Sequence, residues 1–304
     1  MTAGPEPVPT DRPLALIVNP TAGGGRSRQL LPRIERALDD RRRVFRVAPS
    51  RSLAHGIELA LEAADAREIP VVVSGDGLIG AVGGALAGSG SVMGLIPAGR
   101  GNDLARGLGI PSDPEAAVES LLGGVVRQID VGEANGNRFL GIASVGFDSD
   151  ANRIANEVRF LKGKPVYAWA ALRALLRWKP ARFTLAEGER RTRITGYTVA
   201  VANNGYYGGG MNLAPDADLA DGLLDVVTIG EVSRPVFVAY LPRVFRGTHV
   251  NRPEVVSVHR TRAIKISASR PFTMYADGDP LTELPARIRV LPGQLRLIVP
   301  REEP

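Results

Sequence analysis

The chain has 304 residues, a formal net charge of +6, and 44% hydrophobic against 23% charged residues; that balance excludes a disordered chain and suits two domains or one large one. It contains no cysteine, which excludes a disulfide scaffold, a zinc–thiolate site and a thiol nucleophile, and fits a cytoplasmic setting. No apolar run is long enough to predict a membrane span, His55, His249 and His259 show no metal-ligand spacing, and the opening MTAGPEPVPTDRP lacks a signal-peptide pattern and reads as a disordered leader.

In chain order, Leu14–Val18 is a short apolar run that predicts a buried strand. It ends in Asn19-Pro20-Thr21-Ala22-Gly23-Gly24-Gly25. Helical spacing follows over 26–39, a weak strand over 44–47 and an Ala/Leu-rich helix over 53–66. Next come a strand at 70–74, a helix at 79–87, a strand at 92–96, and helices at 102–107 and 114–122. Alternating strands and helices predict a parallel sheet covered by helices. The pattern changes after about residue 128. Strands are then predicted at 138–145, 182–187, 194–203, 223–230, 255–258, 262–268, 272–276 and 286–291, with a helical insert over 150–178. This second part reads as largely antiparallel. The final run from Leu295 is expected to return to the first domain, giving domains 1–128 with 295–304, and 129–294.

Three glycine-rich turns close predicted strands: 19–25, Ser74-Gly75-Asp76-Gly77, and Gly99-Arg100-Gly101-Asn102-Asp103. Ligands of parallel sheets sit at such carboxyl ends. Glycine lets backbone N–H groups approach an anion, and a following helix N-terminus favours negative charge. The accompanying carboxylates have a use if phosphates arrive with Mg²⁺. Asp76, Asn102 and Asp103 could also be ordinary helix caps or first-turn acids. The late turn Asp277-Gly278-Asp279 could be a plain hairpin turn. Asp216–Asp225 carries four acids but lacks EF-hand spacing. Neither a dinucleotide fingerprint nor a P-loop is present.

Taken together, the motifs resemble the soluble lipid kinases, the bacterial diacylglycerol kinases and the sphingosine kinases. The matching order is Asn19 to Gly23, Gly75 to Gly77, Pro97 to Arg106, Gly146-Phe147-Asp148, Asp221 to Asp225, and Asp277 to Pro280. The resemblance covers nearly the whole chain. It implies an NAD-kinase-like α/β nucleotide-binding domain with a parallel sheet, plus a mostly antiparallel, β-sandwich-like lipid domain. It implies ATP- and Mg²⁺-dependent phosphorylation of a primary hydroxyl on a lipid such as diacylglycerol or a sphingoid base. Nucleotide contacts are then expected from Asn19, Pro20, Thr21, Ala22, Gly23, Ser50, Gly75, Asp76, Gly77, Arg100, Asn102 and Asp103. Asp76, Asp103 and Asp279 are expected to hold Mg²⁺ through water. Asp277 is expected as general base in the bacterial pattern, and Asp76 in the sphingosine-kinase pattern. Asp218, Asp221 and the Leu223 carbonyl resemble a structural Mg²⁺ site.

The chain departs from that family at Leu78, Gly80 and Ala81, where Thr, Asn and Glu are frequent, at Arg100, where a small polar residue is usual, and at Asp279 in place of Glu. Ala81 keeps a catalytically silent homologue open as an alternative, beside an NAD-kinase-like kinase of a soluble metabolite. The expected partner is a lipid at an anionic membrane surface, not nucleic acid, with the protein cytoplasmic and peripheral to the membrane. The expected docking segment is 153–182, with its arginines and lysines and Trp169 and Trp178.

Overall fold

Strand β2 (Leu14–Val18) is buried at every position, the mark of a strand covered on both faces. Its alternate residues serve two cores. Leu14, Leu16 and Val18 pack with Ile34 and Leu38, while Ile17 packs with Ala60, Val72 and Ile79. The computed structural model describes residues 4–147, 149 and 178–301. A two-residue strand, β1 (Glu6–Pro7), precedes β2. It pairs antiparallel with Val125–Val126, and Arg43 donates to the carbonyls of Pro9, Thr10 and Arg12. The segment read as a disordered leader is therefore pinned from Glu6 to Arg12, because an arginine some thirty residues away satisfies its carbonyls.

After β2 come α1 (Arg26–Asp40), β3 (Phe45–Pro49), α2 (Leu53–Asp65), β4 (Ile69–Ser74), α3 (Asp76–Leu86), β5 (Val92–Pro97), α4 (Asp103–Gly107) and α5 (Pro114–Gly123). The strands pair in parallel in the order β3-β2-β4-β5. Capping explains two starts. Ser52 accepts from the His55 N–H ahead of α2, and Asp113 accepts from Ala116 N–H ahead of α5, with Pro114 at the first turn.

The second part begins with β6 (Val125–Ala134), β7 (Asn137–Phe139) and β8 (Ile142–Gly146). The stretch expected as one strand over 138–145 is two, separated at Leu140–Gly141. It continues with β9 (Ala181–Glu187), β10 (Arg190–Ala202), the short pair β11 (Tyr206–Tyr207) and β12 (Met211–Asn212), and β13 (Leu224–Gly230). Next are α6 (Arg234–Val244), β14 (Val256–Thr261), β15 (Ala263–Ala268), β16 (Thr273–Ala276), β17 (Asp279–Glu283) and β18 (Ala286–Val299). Pairing here is antiparallel, β10 being bordered by β8, β9 and β13.

β18 joins the two parts. Ala263–Ile266 of β15 pairs with its first half. Arg296 and Leu297 pair in parallel with Val92 and Met93 of β5, and β6 runs antiparallel along nearly its whole length. The architecture is a parallel α/β core joined to an antiparallel, sandwich-like β domain. The core of the β domain is strongly aromatic. Tyr197 stacks on Phe237 at 4.2 Å and on Trp178 at 6.3 Å, and Phe147 meets Phe237 edge-on at 5.0 Å.

Two sequence expectations meet these facts. Trp178 is 4% exposed within that aromatic core, so it is a packing residue and not an interfacial ring. Arg153, Arg159, Lys162, Lys164, Trp169, Arg173, Arg177 and Asp148 lie outside the described residues.

Candidate active site

The three glycine turns meet one another. A methyl group on Gly23 would fall 2.6 Å from the Ala98 carbonyl, and one on Gly99 would fall 2.4 Å from the Gly75 Cα. Only residues without a side chain permit this approach. Gly23, Gly24 and Gly25 also hold φ of 62°, 76° and 96°, where an L side chain is strained. Asn19 shapes the first turn, its Oδ1 accepting from the Thr21 N–H at 3.1 Å and the Thr21 hydroxyl at 2.9 Å. Asn102 shapes the third. It sits at φ 55° with no side-chain bond to the helix it precedes, and its Oδ1 accepts from the Gly99 N–H at 2.8 Å. The helix-cap reading of Asn102 is thus replaced by a loop brace. Asp76 does the capping, accepting from the Leu104 N–H of α4 at 3.1 Å. Arg100 is exposed beside Gly24. Ser50 is buried, and its hydroxyl donates to the Val18 carbonyl at 3.3 Å.

Four carboxylates gather where α3 begins. A methyl on Gly101 would meet Asp76 Oδ2 at 2.9 Å and Asp103 Oδ2 at 3.1 Å. One on Gly77 would meet Asp279 Oδ2 at 3.3 Å, and one on Gly80 would meet Asp277 Oδ2 at 3.0 Å. α3 therefore faces the β domain with glycine at the places where side chains would displace these acids. On its other side, Asp277 lies against Gly141, the residue between β7 and β8, where no Cβ fits. Asp277 itself holds φ 54° at the turn between β16 and β17. Such strain in a non-glycine residue is retained where the surroundings fix it.

The electrostatics follow from this crowding. Burial, then the charge of Asp76, push the Asp277 carboxyl up to about 7, against the opposing hydrogen bond from the Gly141 backbone; Asp103 and Asp279 add to the rise. Burial also raises Asp103 and Asp279. A carboxyl titrating near neutrality among other acids is the profile of a proton-transfer group.

The β domain contributes a clamp that the sequence motifs did not identify. The β11–β12 hairpin turns through Gly208, Gly209 and Gly210, all at positive φ. The Gly209 N–H donates to Asp103 Oδ2 at 2.8 Å. The neighbouring buried Asn204 donates its side-chain amide to the Asp103 carbonyl at 3.0 Å. Asp103 is thus gripped at backbone and side chain by the opposite domain. The visible signal was the Gly-Gly-Gly run, the second such run in the chain.

Asp103 Oδ1 is buried with no hydrogen-bond partner. Among the described residues no three acidic or imidazole groups lie close enough to hold an ion alone. Mg²⁺ does not need them to, since it binds through one or two carboxylates with waters and substrate phosphates. An orphaned carboxylate oxygen beside a phosphate-type cradle fits that pattern. The second candidate, the Asp218–Leu223 loop, lies over buried Asp130, which accepts from Gly222 N–H at 2.6 Å and Gly293 N–H at 2.8 Å. Asp218 faces Arg127 at 3.4 Å and Asp221 faces Arg260 at 3.8 Å. Two carboxylates and the Leu223 carbonyl supply hard oxygen donors, the type Mg²⁺ takes. This loop is separate from the four-carboxylate cluster.

Residues 13–134 match the diacylglycerol kinase catalytic domain, and residues 141–299 match the YegS C-terminal NAD kinase beta sandwich-like domain. A diacylglycerol kinase of Mycobacterium tuberculosis (strain H37Rv) is 36% identical over 251 residues, covering 80% of either chain. One from Bacillus subtilis (strain 168) is 27% identical over 252 residues, covering 80% of this chain and 82% of its own. A crystal structure of a diacylglycerol kinase from Bacillus anthracis superposes with TM-score 0.75 at 21% identity, covering 95% of this chain and 97% of that one; it attests the fold.

Proposed function

The chain belongs to the family of bacterial diacylglycerol kinases and YegS-like lipid kinases, and from that premise we propose that it transfers the γ-phosphoryl group of ATP to a primary hydroxyl of diacylglycerol or a related lipid, with Asp277 as general base. The observation that carries this reading is the Asp277 carboxyl, raised to about 7 against the opening turns of α3. A base must lose its proton near the working pH and regain it afterwards.

Phosphoryl transfer is mostly positioning and charge stabilisation. The turns at 19–25, 75–77 and 99–101 would cradle the nucleotide phosphates through N–H groups not already used within the chain, as those of Asn19, Thr21, Ala22, Gly24, Gly25 and Gly99 are. Asp76 and Asp103 are the residues that would hold Mg²⁺, and Asp279 stands beside them. When bound, Mg²⁺ supplies charge neutralisation between nucleotide phosphates. Asp277 accepts the proton of the attacking hydroxyl at its carboxylate. The neighbouring acids disfavour its charge, which strengthens it as a base. Asp218, Asp221 and Leu223 are the candidate ligands of a second, structural Mg²⁺.

Ala81, which motivated a silent homologue, is half-buried on α3. Four acids still converge without a carboxylate at that position, and this favours an active enzyme. The test is turnover of γ-labelled ATP with diacylglycerol, a sphingoid base and a soluble acceptor in parallel. Label in a lipid product supports the proposal, whereas label confined to the soluble acceptor contradicts it.

A further inference from the structure

Helix α6 has the wrong outer face for a helix in water. Between Glu231 and Glu254 the chain carries Arg234, Arg243, Arg246 and Arg252 and no acid, and of these Arg252 pairs with Glu254 at 3.4 Å. From Arg234 to Arg246 it has no amide, serine or threonine either. The inner face is conventional: Phe237 and Val244 are buried, and Tyr240 and Leu241 are half-buried. The outer face exposes Val236 at 39%, Val238 at 47% and Phe245 at 55%, together with Pro235, Ala239, Pro242, Arg243 and Arg246. A surface helix of a water-exposed domain places polar residues there. Three of the seven large hydrophobic side chains exposed among the described residues fall in this one stretch.

We propose that the outer face of α6 docks the enzyme on an anionic lipid bilayer, an inference that rests on a lipid being the phosphoryl acceptor. Apolar side chains flanked by arginines, without acids, are complementary to acyl chains below and anionic headgroups above. Arg243 lies over the Tyr240 ring at 5.0 Å, a cation held at the rim of the apolar patch. A protein partner would not require a stretch without acid, amide, serine or threonine. No described helix is long and apolar enough to cross a membrane; an enzyme acting on a bilayer substrate needs a surface that meets the bilayer. The helix is also well placed. Phe237 packs into the aromatic core that includes Ala143, Met274 and Ala276, and Ala276 directly precedes Asp277.

The experiment is co-sedimentation of the full chain with phosphatidylcholine vesicles, with and without phosphatidylglycerol, at low and high salt and without nucleotide. Three proteins are compared: wild type, the Val238→Ser/Phe245→Ser pair and the Arg243→Gln/Arg246→Gln pair. Wild type should bind the anionic vesicles, less so at high salt. The arginine pair should weaken that binding by about fivefold per residue. The serine pair should lose binding that high salt does not abolish. All four substituted side chains are exposed, so turnover of detergent-dispersed lipid should stay at the wild-type level. Failure of wild type to bind vesicles, or equal binding by all three proteins, would overturn the proposal. So would a wild-type dimer, read by light scattering, that only the serine pair dissociates, since α6 would then be a self-association face. Turnover is measured separately. Its absence in wild type would fault the lipid acceptor and leave the vesicle result to stand or fall alone.

Discussion

At the scale of single residues, Asp277 carries the account. Asp277→Asn keeps the shape and removes the proposed proton acceptor, so turnover should fall by roughly 10²–10⁴-fold with ATP affinity nearly unchanged. Steady-state kinetics with nucleotide binding measured alongside checks this. The pH dependence has a definite sign. The carboxyl titrates near 7 when folded and near 3.8 in its ordinary state, so the base form grows as pH rises, and the rate of wild type should climb through about pH 7 and then level. The same shift sets a stability trend. A carboxyl whose folded value is raised favours the folded state at low pH, and that contribution is lost between about pH 4 and 7. Asp277→Asn should therefore raise Tm more at pH 8 than at pH 5, in scanning calorimetry. A stabilising, inactivating change is the expected mark of a group held against its preference for function. The types Gly and Asp at 75–77 and 277–279 were legible as motifs. Their mutual strain was not, because Gly80 and Gly141, which make room for Asp277, carry no signal apart from the partner they face.

At the scale of elements, the parallel core was readable because buried strands such as β2 and β4 are continuous apolar runs bounded by glycine turns. The start of α3 was misplaced to residue 79. Asp76 and Gly77 look like loop residues, yet they form its first turn, where Asp76 suits the positive end of the helix. β11 and β12 were missed because two-residue strands have no periodicity, and α6 because its apolar residues encircle it instead of marking one stripe. The hairpin between β11 and β12 yields a prediction. Gly209→Val forces a β-branched residue into φ 84°, costing on the order of 1–2 kcal/mol locally, and disturbs the N–H that holds Asp103. Its KM for Mg–ATP should rise several-fold more than its KM for lipid. Equal changes in both would mean that the hairpin only supports the fold. In α3, Gly80→Ala should improve helix propensity by up to about 1 kcal/mol yet place a methyl 3.0 Å from Asp277 Oδ2. Activity should fall while Tm holds or rises, which a melting curve beside an activity assay reads directly.

At the scale of the whole molecule, the site exists only where the two parts meet. α3 and α4 bring Asp76 and Asp103, the turn after β16 brings Asp277 and Asp279, and Asn204 and Gly209 clamp across the junction. β18 and β6 run through both halves, and Asp130 ties the loop at Gly222 to the turn at Gly293. Asp130→Ala, which leaves two backbone N–H groups without their charged acceptor, should destabilise the protein by about 2–4 kcal/mol in urea unfolding. If the neighbouring loop holds Mg²⁺, wild-type Tm should rise with added Mg²⁺ and that of Asp221→Ala should not. A wild-type Tm indifferent to Mg²⁺ and to chelator would leave the loop as an acidic turn paired with Arg127 and Arg260. Local patterns announce each half of the site, while their meeting comes only from the family resemblance, which groups Asp76 and Asp103 with Asp277 and Asp279, since no local pattern specifies which turn faces which across a domain junction. The most direct test of the account is transfer from γ-labelled ATP to a total lipid extract by wild type and Asp277→Asn, with the product identified by mass. The account predicts one phosphorylated lipid class with wild type and none above background with the variant. Equal labelling by both proteins, or label found only in a soluble acceptor, would contradict it.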